Sequence, residues 1–369
     1  MSTDLIAQVE EQRHHVVVDS FTITWNELIS QYKAGDVTIN PSYQRAFRWS
    51  LEQQTKYVES LLLSIPTPPI FLSENSDGTF EVIDGLQRFS TIIKFFSAEI
   101  FEDEEPLDIK QKENPNNINL PTILTEAPIL TGLIGHSRET LPETLLRTLR
   151  YSRVQLILLQ KESSSLAKFN VFTRLNRAGT TLSNQEIRNC SARLFETDFP
   201  DILNTLATSE KIIKSLKLSR EEKDSMGIQE TILRLIAFGT LEPKTQKIEE
   251  FLDDVMYQAA QKKLPHQSKI QAKVIETFEI IYSAFPEGQA FRFYKSEKFS
   301  GSFSPNLYDI IACGVFNNLS KCRKRTPEQM RNLIISLHGE KEAIALTGAG
   351  SNARSKMIGR VTFGKKWFA

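Results

Sequence analysis

Cysteine is scarce in this chain. There are three in 369 residues (Cys190, Cys313 and Cys322), far apart and never in a Cys-x-x-Cys pair. That spacing argues against a zinc site and against a disulfide framework, and it fits a reducing cytoplasm. Net charge is also missing: 45 basic residues balance 45 acidic ones. A domain dedicated to nucleic acid is usually basic overall, so any such contact has to come from a local patch. No apolar run approaches the ~18 residues that a membrane-spanning helix needs. Met1 to Ser20 is polar and charged, with no continuous apolar region, so no signal peptide is expected. Fixed-period repeats and long low-complexity tracts are absent too.

What is present suits a globular protein. Hydrophobic residues make up 40% and charged residues 24% of the chain, enough for a large core. At about 100–200 residues per domain, the length predicts two domains. The pattern expected is α+β: a small mixed β-sheet domain followed by a mainly α-helical one. Residues 1–20 read as a lead-in, 21–162 as the sheet domain with an insert near 102–135, 163–345 as the helical domain and 346–369 as a basic tail.

In the first half, Thr24 with Glu27 and Ser50 with Gln53 have capping-box spacing, and each precedes an amphipathic run. Tyr57, Val58, Leu61 and Leu62 form the apolar stripe of the second helix. Ile70-Phe71-Leu72 and Phe80 to Ile83 read as strands joined by a turn at Asn75-Ser76-Asp77-Gly78. Val154 to Leu159 is another strand. From Ser163 the period becomes helical. Ala167 to Asn176 is one helix, stopped by Gly179, and Ser183 with Glu186 caps the next. Later helices centre on Ile202–Leu206, Ile228–Phe238, Ile248–Ala260, Ile270–Ala284, Leu307–Leu319 and Pro327–Leu337.

The chemistry concentrates in Ile83-Asp84-Gly85-Leu86-Gln87-Arg88, which reads as strand, tight turn and helix N-terminus. Helix N-termini carry unpaired N–H groups and partial positive charge, which suit phosphate. Gly85 lets a phosphate approach the backbone, and Arg88 in the first turn brings a planar cationic fork. Asp84 is either the helix cap or the acid of a metal–nucleotide site. The plain alternative is a common Asp-Gly turn with Arg88 in water. A second stretch, Asn40 to Ser50, interleaves Arg45 and Arg48 with Tyr43, Phe47 and Trp49. It reads either as a partner for an anionic planar ligand or as a loop packed through its aromatics. Lys321, Arg323, Lys324 and Arg325 form a basic cluster, and the tail holds Arg354, Lys356, Arg360, Lys365 and Lys366. Both read either as phosphate-backbone contacts or as solvated ends.

Three segments in order resemble one family: Pro41-Ser42-Tyr43-Gln44-Arg45 through Trp49; Ile83 to Arg88; and Phe172 to Gly179 with Leu182-Ser183 and Glu186-Ile187-Arg188-Asn189. They are similar to the N-terminal domain of GmrSD-type modification-dependent restriction enzymes, with its Asp-Gly-Gln-Gln-Arg motif. The similarity covers about residues 20 to 240. It implies a ParB/sulfiredoxin-like fold, nucleoside triphosphate binding or hydrolysis with Mg²⁺ as a candidate companion, and service in bacterial defence against phage DNA. The resemblance implies that Arg45 and Arg88 bind phosphate. Asp84 and Gln87 position water or a metal, Gln44 and Gly85 face or form the site, and Asn176, Arg177 and Gly179 close it.

Two departures qualify this. Leu86 replaces the motif's first Gln, and an apolar side chain neither orients water nor binds phosphate. Larger relatives also carry a His-Asn-His-type nuclease domain, whereas His136, His266 and His338 are each isolated here. The expected function is therefore an NTP-binding and hydrolysing defence protein that acts on or with DNA. The alternative is a non-catalytic nucleotide- or DNA-responsive module that regulates a separate nuclease partner. A metal-dependent DNA nickase using Asp84 is a third reading.

Overall fold

The structure is a computed structural model. It describes residues 5–7, 9–10, 16–39, 47, 49–97, 122–179, 183–193, 195, 197–245, 247–265, 267–348 and 353–369; the side chains of 165, 176–179 and 224 are not described. The chain is α+β and divides into two compact units, Met1–Thr181 and Leu182–Ala369. The sequence reading drew its boundary at 162/163.

The first unit contains β1 (Val18–Thr24), α1 (Trp25–Ala34), β2 (Val37–Thr38), α2 (Leu51–Leu62), β3 (Ile70–Glu74), β4 (Phe80–Asp84), α3 (Leu86–Phe95), α4 (Glu143–Tyr151), β5 (Arg153–Leu159) and α5 (Ser165–Gly179). The strands form one mixed sheet in the order β1-β5-β3-β4-β2. β1 and β5 are antiparallel, β5 and β3 parallel, β3 and β4 antiparallel, and β4 and β2 parallel.

Local chemistry explains the helix starts. Glu27 N–H donates to Thr24 Oγ1 at 3.2 Å, but the Glu27 carboxylate accepts from Gln31 Nε2, so only half of the expected box forms. Ser50 and Gln53 make the full reciprocal box. Gly35 ends α1 at φ 85°, a conformation that costs glycine nothing. Trp25, Leu28, Val58, Ile70, Phe89 and Leu156 are buried in this unit's core. Residues 122–135, the described end of the expected insert, are irregular apart from one 3₁₀ turn at Thr131–Leu133. A polar face of α2 holds them: Thr125 N–H donates to Thr55 Oγ1, and Ile129 and Leu130 N–H donate to Glu59.

The second unit is helical, with one small hairpin. It runs α6 (Asn184–Arg193), α7 (Phe199–Ala207), α8 (Glu210–Leu216), α9 (Arg220–Asp224), α10 (Gly227–Thr240), α11 (Ile248–Ala260), α12 (Gln267–Ala284), β6 (Phe293–Lys295), β7 (Lys298–Ser300), α13 (Pro305–Asn317), α14 (Leu319–Cys322), α15 (Pro327–Leu337), α16 (Lys341–Thr347) and α17 (Arg354–Trp367). Inside the expected basic tail, α17 packs on α13, with Met357, Val361, Phe363 and Phe368 buried. Arg360 is fully buried and pairs with Asp309, which also takes both ends of Arg234 at 2.6 and 2.7 Å. Arg360 is therefore neither a solvated charge nor a free phosphate contact. Among the described residues no helix is long and apolar enough to cross a membrane.

Candidate functional site

The β4–α3 turn is shaped before any side chain contributes. Phe71 faces Asp84 across the ladder and Leu72 faces Val82, so Ile83 is an extra residue on β4. Such a bulge re-aims the strand end. Gly85 then turns at φ 92° and ψ 11°, and α3 begins at Leu86 with no side-chain cap. Asp84 therefore does not cap the helix, because Gly85 holds the N-cap position. The first-turn N–H groups of α3 have no carbonyl a turn earlier to bond, so this end carries partial positive charge. Leu86 is buried, which explains why an apolar residue stands there.

Arg88 lies across the same end. Its Nη2 donates to Pro69 O at 3.0 Å and lies 3.4 Å from Asp84 Oδ2. The two side chains are 17% and 27% exposed, so Arg88 is fixed in place rather than free in water. Its Nε is buried without a hydrogen-bond partner. A Cβ on Gly85 would come within 3.1 Å of Arg88 Nη2 and 3.0 Å of Ile70 Cγ1, so glycine is required for contact as well as for φ.

Gln87 has a different place. Its Oε1 accepts the backbone N–H of Trp49 at 3.1 Å, while Trp49 O accepts from Gln54 Nε2 at 2.8 Å. Phe47, two residues earlier, is buried beneath the Lys94 ammonium, 5.9 Å from its ring centre. Burial pushes the Lys94 pKa down. Trp49 is thus tied to α3 itself. Gln44 and Arg45 lie outside the described residues. Asn176, Arg177 and Gly179 end α5, whose body packs on β4, and their side chains lie outside the described set.

Sequence reasoning missed Tyr57 on α2, counted there only as part of an apolar stripe. It is 6% exposed, with Trp49 and Trp25 rings at 5.7 and 6.4 Å. Burial pushes its phenol up to about 12, against the opposing pull of Thr67 and of the Arg88 charge. The signal available was a tyrosine in a core stripe that would accept phenylalanine.

The basic cluster sits in the second unit. Arg323 Nε donates to Glu276 at 2.7 Å and Arg325 Nη1 to Phe368 O at 3.0 Å, while Lys321 and Lys324 are exposed. Arg188, quoted in the third family segment, is 1% exposed and clamps Asp253 at 2.8 Å and Glu230 at 2.9 Å. It is a structural tie between α6, α10 and α11. Among the described residues no group of three or more His, Cys, Asp or Glu is placed to hold a metal ion.

The β4–α3 turn of the first unit thus brings together a tight glycine turn, an uncapped helix end and an arginine fixed in its first turn. Residues 25–193 match the model of the family described as GmrSD restriction endonuclease, N-terminal domain. No curated protein and no solved structure matches the chain.

Proposed function

We propose that the first unit binds a nucleoside triphosphate by its phosphates at the β4–α3 turn, and that the protein serves a bacterial restriction-type defence against phage, acting on or with DNA. The observation that carries this reading is the coincidence of Gly85 at φ 92°, an α3 N-terminus without a side-chain cap, and Arg88 in its first turn. Charge stabilisation by such donors is the main contribution a phosphate site can make. A Mg²⁺ ion would arrive with the phosphates, since such ions are commonly held by one or two carboxylates plus phosphate oxygens, and Asp84 is the carboxylate at the turn.

One observation favours binding without turnover. Gln87 Oε1 accepts Trp49 N–H and Leu86 is buried, so two of the motif's side chains serve the packing of the turn. In that version the nucleotide is a signal, and a separate nuclease partner cuts. Isothermal calorimetry of the full chain with each of the four triphosphates, with and without Mg²⁺, tests the proposal. Binding that Arg88→Ala abolishes is the expected result, and no heat with any nucleotide would refute it. Phosphate release measured on the same samples separates an NTPase from a switch.

A further inference from the structure

The fold brings together two basic segments that lie far apart in the sequence. Asn317 to Thr326 holds Lys321, Arg323, Lys324 and Arg325, and Ala353 to Ala369 carries Lys365 and Lys366 in the last turn of α17; neither stretch contains an acid. Asn318 joins them. Its Nδ2 donates to Lys365 O at 2.9 Å, while its own carbonyl accepts Lys321 N–H at 3.0 Å. Arg325 Nη1 donates to Phe368 O at 3.0 Å. These two bonds satisfy carbonyls at the end of α17, so its lysine side chains are not needed for that. Arg323 is held by Glu276. The two arginines thus serve the packing of this surface, and the lysines are left over. Lys321, Lys324, Lys365 and Lys366 are all exposed, and none of the four forms an ion pair among the described residues.

We infer that Lys321, Lys324, Lys365 and Lys366 form one surface of the second unit that holds the phosphate backbone of duplex DNA. This rests on the reading above that the protein acts on or with DNA, and it names a contact apart from the β4–α3 turn. Four like charges on one surface repel each other unless an anion meets them, and a duplex carries one negative charge per ~1.7 Å of its axis. An acidic protein is the weaker fit. Protein interfaces are built around apolar and aromatic anchors and are depleted in lysine. Here Cys322, Phe363 and Phe368, the apolar residues interleaved with these lysines, are buried. The half-buried Trp367 stacks on Phe363 and donates its indole N–H to Leu333 O at 3.1 Å. Lysine ammonium groups meet phosphates as point charges, so such a surface positions a duplex without reading its sequence. With the whole chain neutral, the contact is local to this surface.

The test is fluorescence anisotropy of a labelled, mixed-sequence DNA duplex with the full chain, at salt concentrations from about 50 to 200 mM. Four phosphate contacts predict that log K falls with log salt at a slope of about −3.6, a loss of roughly 150-fold in affinity across that range. Two double variants, Lys321→Gln with Lys324→Gln and Lys365→Gln with Lys366→Gln, should each flatten the slope by about 1.8. All four side chains are exposed, so the Tm of the free variants should match the wild type. DNA binding by the wild type with an unchanged slope in either double variant overturns the shared surface and leaves action on DNA standing. No binding of the duplex by the wild type at the lowest salt overturns the surface and direct contact with DNA together; calorimetry with ATP then reads the nucleotide site separately. Displacement of the labelled duplex by poly-glutamate at a lower concentration of charge than unlabelled duplex assigns the surface to an acidic protein and overturns the DNA assignment.

Discussion

Replacing Gly85 with alanine tests the geometry of the turn more sharply than removing a charge does. At φ 92° an L-residue carries a left-handed penalty of about 1–2 kcal/mol. The new Cβ would also stand 3.0 Å from Ile70 Cγ1 and 3.3 Å from Ile70 Cα, both closer than ordinary contact. Ile70 is fully buried in β3, so it has little room to retreat. Overpacking of this kind adds about 1–2 kcal/mol. The sum is about 2–4 kcal/mol, or roughly 5–15 °C in Tm for a unit of this size. Gly35 supplies the control. It has φ 85° and nothing within 4 Å of an added Cβ. Gly35→Ala should cost only the backbone share, about 1–2 kcal/mol, and should leave phosphate binding alone. Gly85→Ala should also displace Arg88, whose Nη2 would lie 3.1 Å from the new methyl, and so weaken nucleotide binding. Thermal melts of the two variants, followed by calorimetry with ATP, read both effects. If Gly85→Ala melts with Gly35→Ala and binds as tightly, the close approach of Ile70 and Arg88 is not what the turn is built around.

Two further predictions concern the second unit. Asp309→Ala would strand Arg360 and Arg234, 1% and 16% exposed, without their shared carboxylate. The expected cost is about 3–5 kcal/mol, seen as a low-temperature melting transition or as insoluble protein, whereas a Tm within 2 °C of wild type, by this ~1 kcal/mol scale, would contradict it. His338 should make stability fall with acid. Burial pushes its imidazole pKa down, Nδ1 accepts Tyr294 N–H at 3.4 Å, and the ring packs near Phe293 and Phe299. The fold thus favours the neutral ring. The unfolded chain binds more protons below its ordinary pKa of about 6.5, so stability is complete above that pH and is lost as pH falls toward the depressed folded value. Urea melts from pH 7.5 to 5 should show this slope, and His338→Phe should flatten it; an identical slope in the variant would assign the acid sensitivity elsewhere.

Local signals were legible and distant ones were not. The Ser50–Gln53 box, the Gly35 stop and the Ser183–Glu186 pair depend on residues within a turn of each other, and all three appear. The Asp84-Gly85 turn was legible as a turn for the same reason. That Gly85 rather than Asp84 holds the N-cap depends on the bulge at Ile83, which needs β3 as a partner to exist. Arg234, Asp309 and Arg360 are 75 and 51 residues apart along the chain, so charge composition showed three ordinary surface-type residues where the fold has a buried cluster. Tyr57 shows the same limit at the site. Helical periodicity placed its ring correctly, but the fate of a hydroxyl is decided by what surrounds it in space.

The motif segments are tied to each other physically, which bears on what Gln87 does. A glutamine that orients an attacking water turns its amide toward the phosphate. Here the amide oxygen accepts Trp49 N–H, and Gln54 from α2 holds the same residue from its carbonyl side. Trp49 in turn packs against Tyr57. A phosphate drawn to Arg88 would therefore act on the helix whose Gln87 holds Trp49. If the turn binds phosphate as proposed above, the Gln87–Trp49 bond is placed to pass occupancy of α3 to Trp49 rather than to activate water.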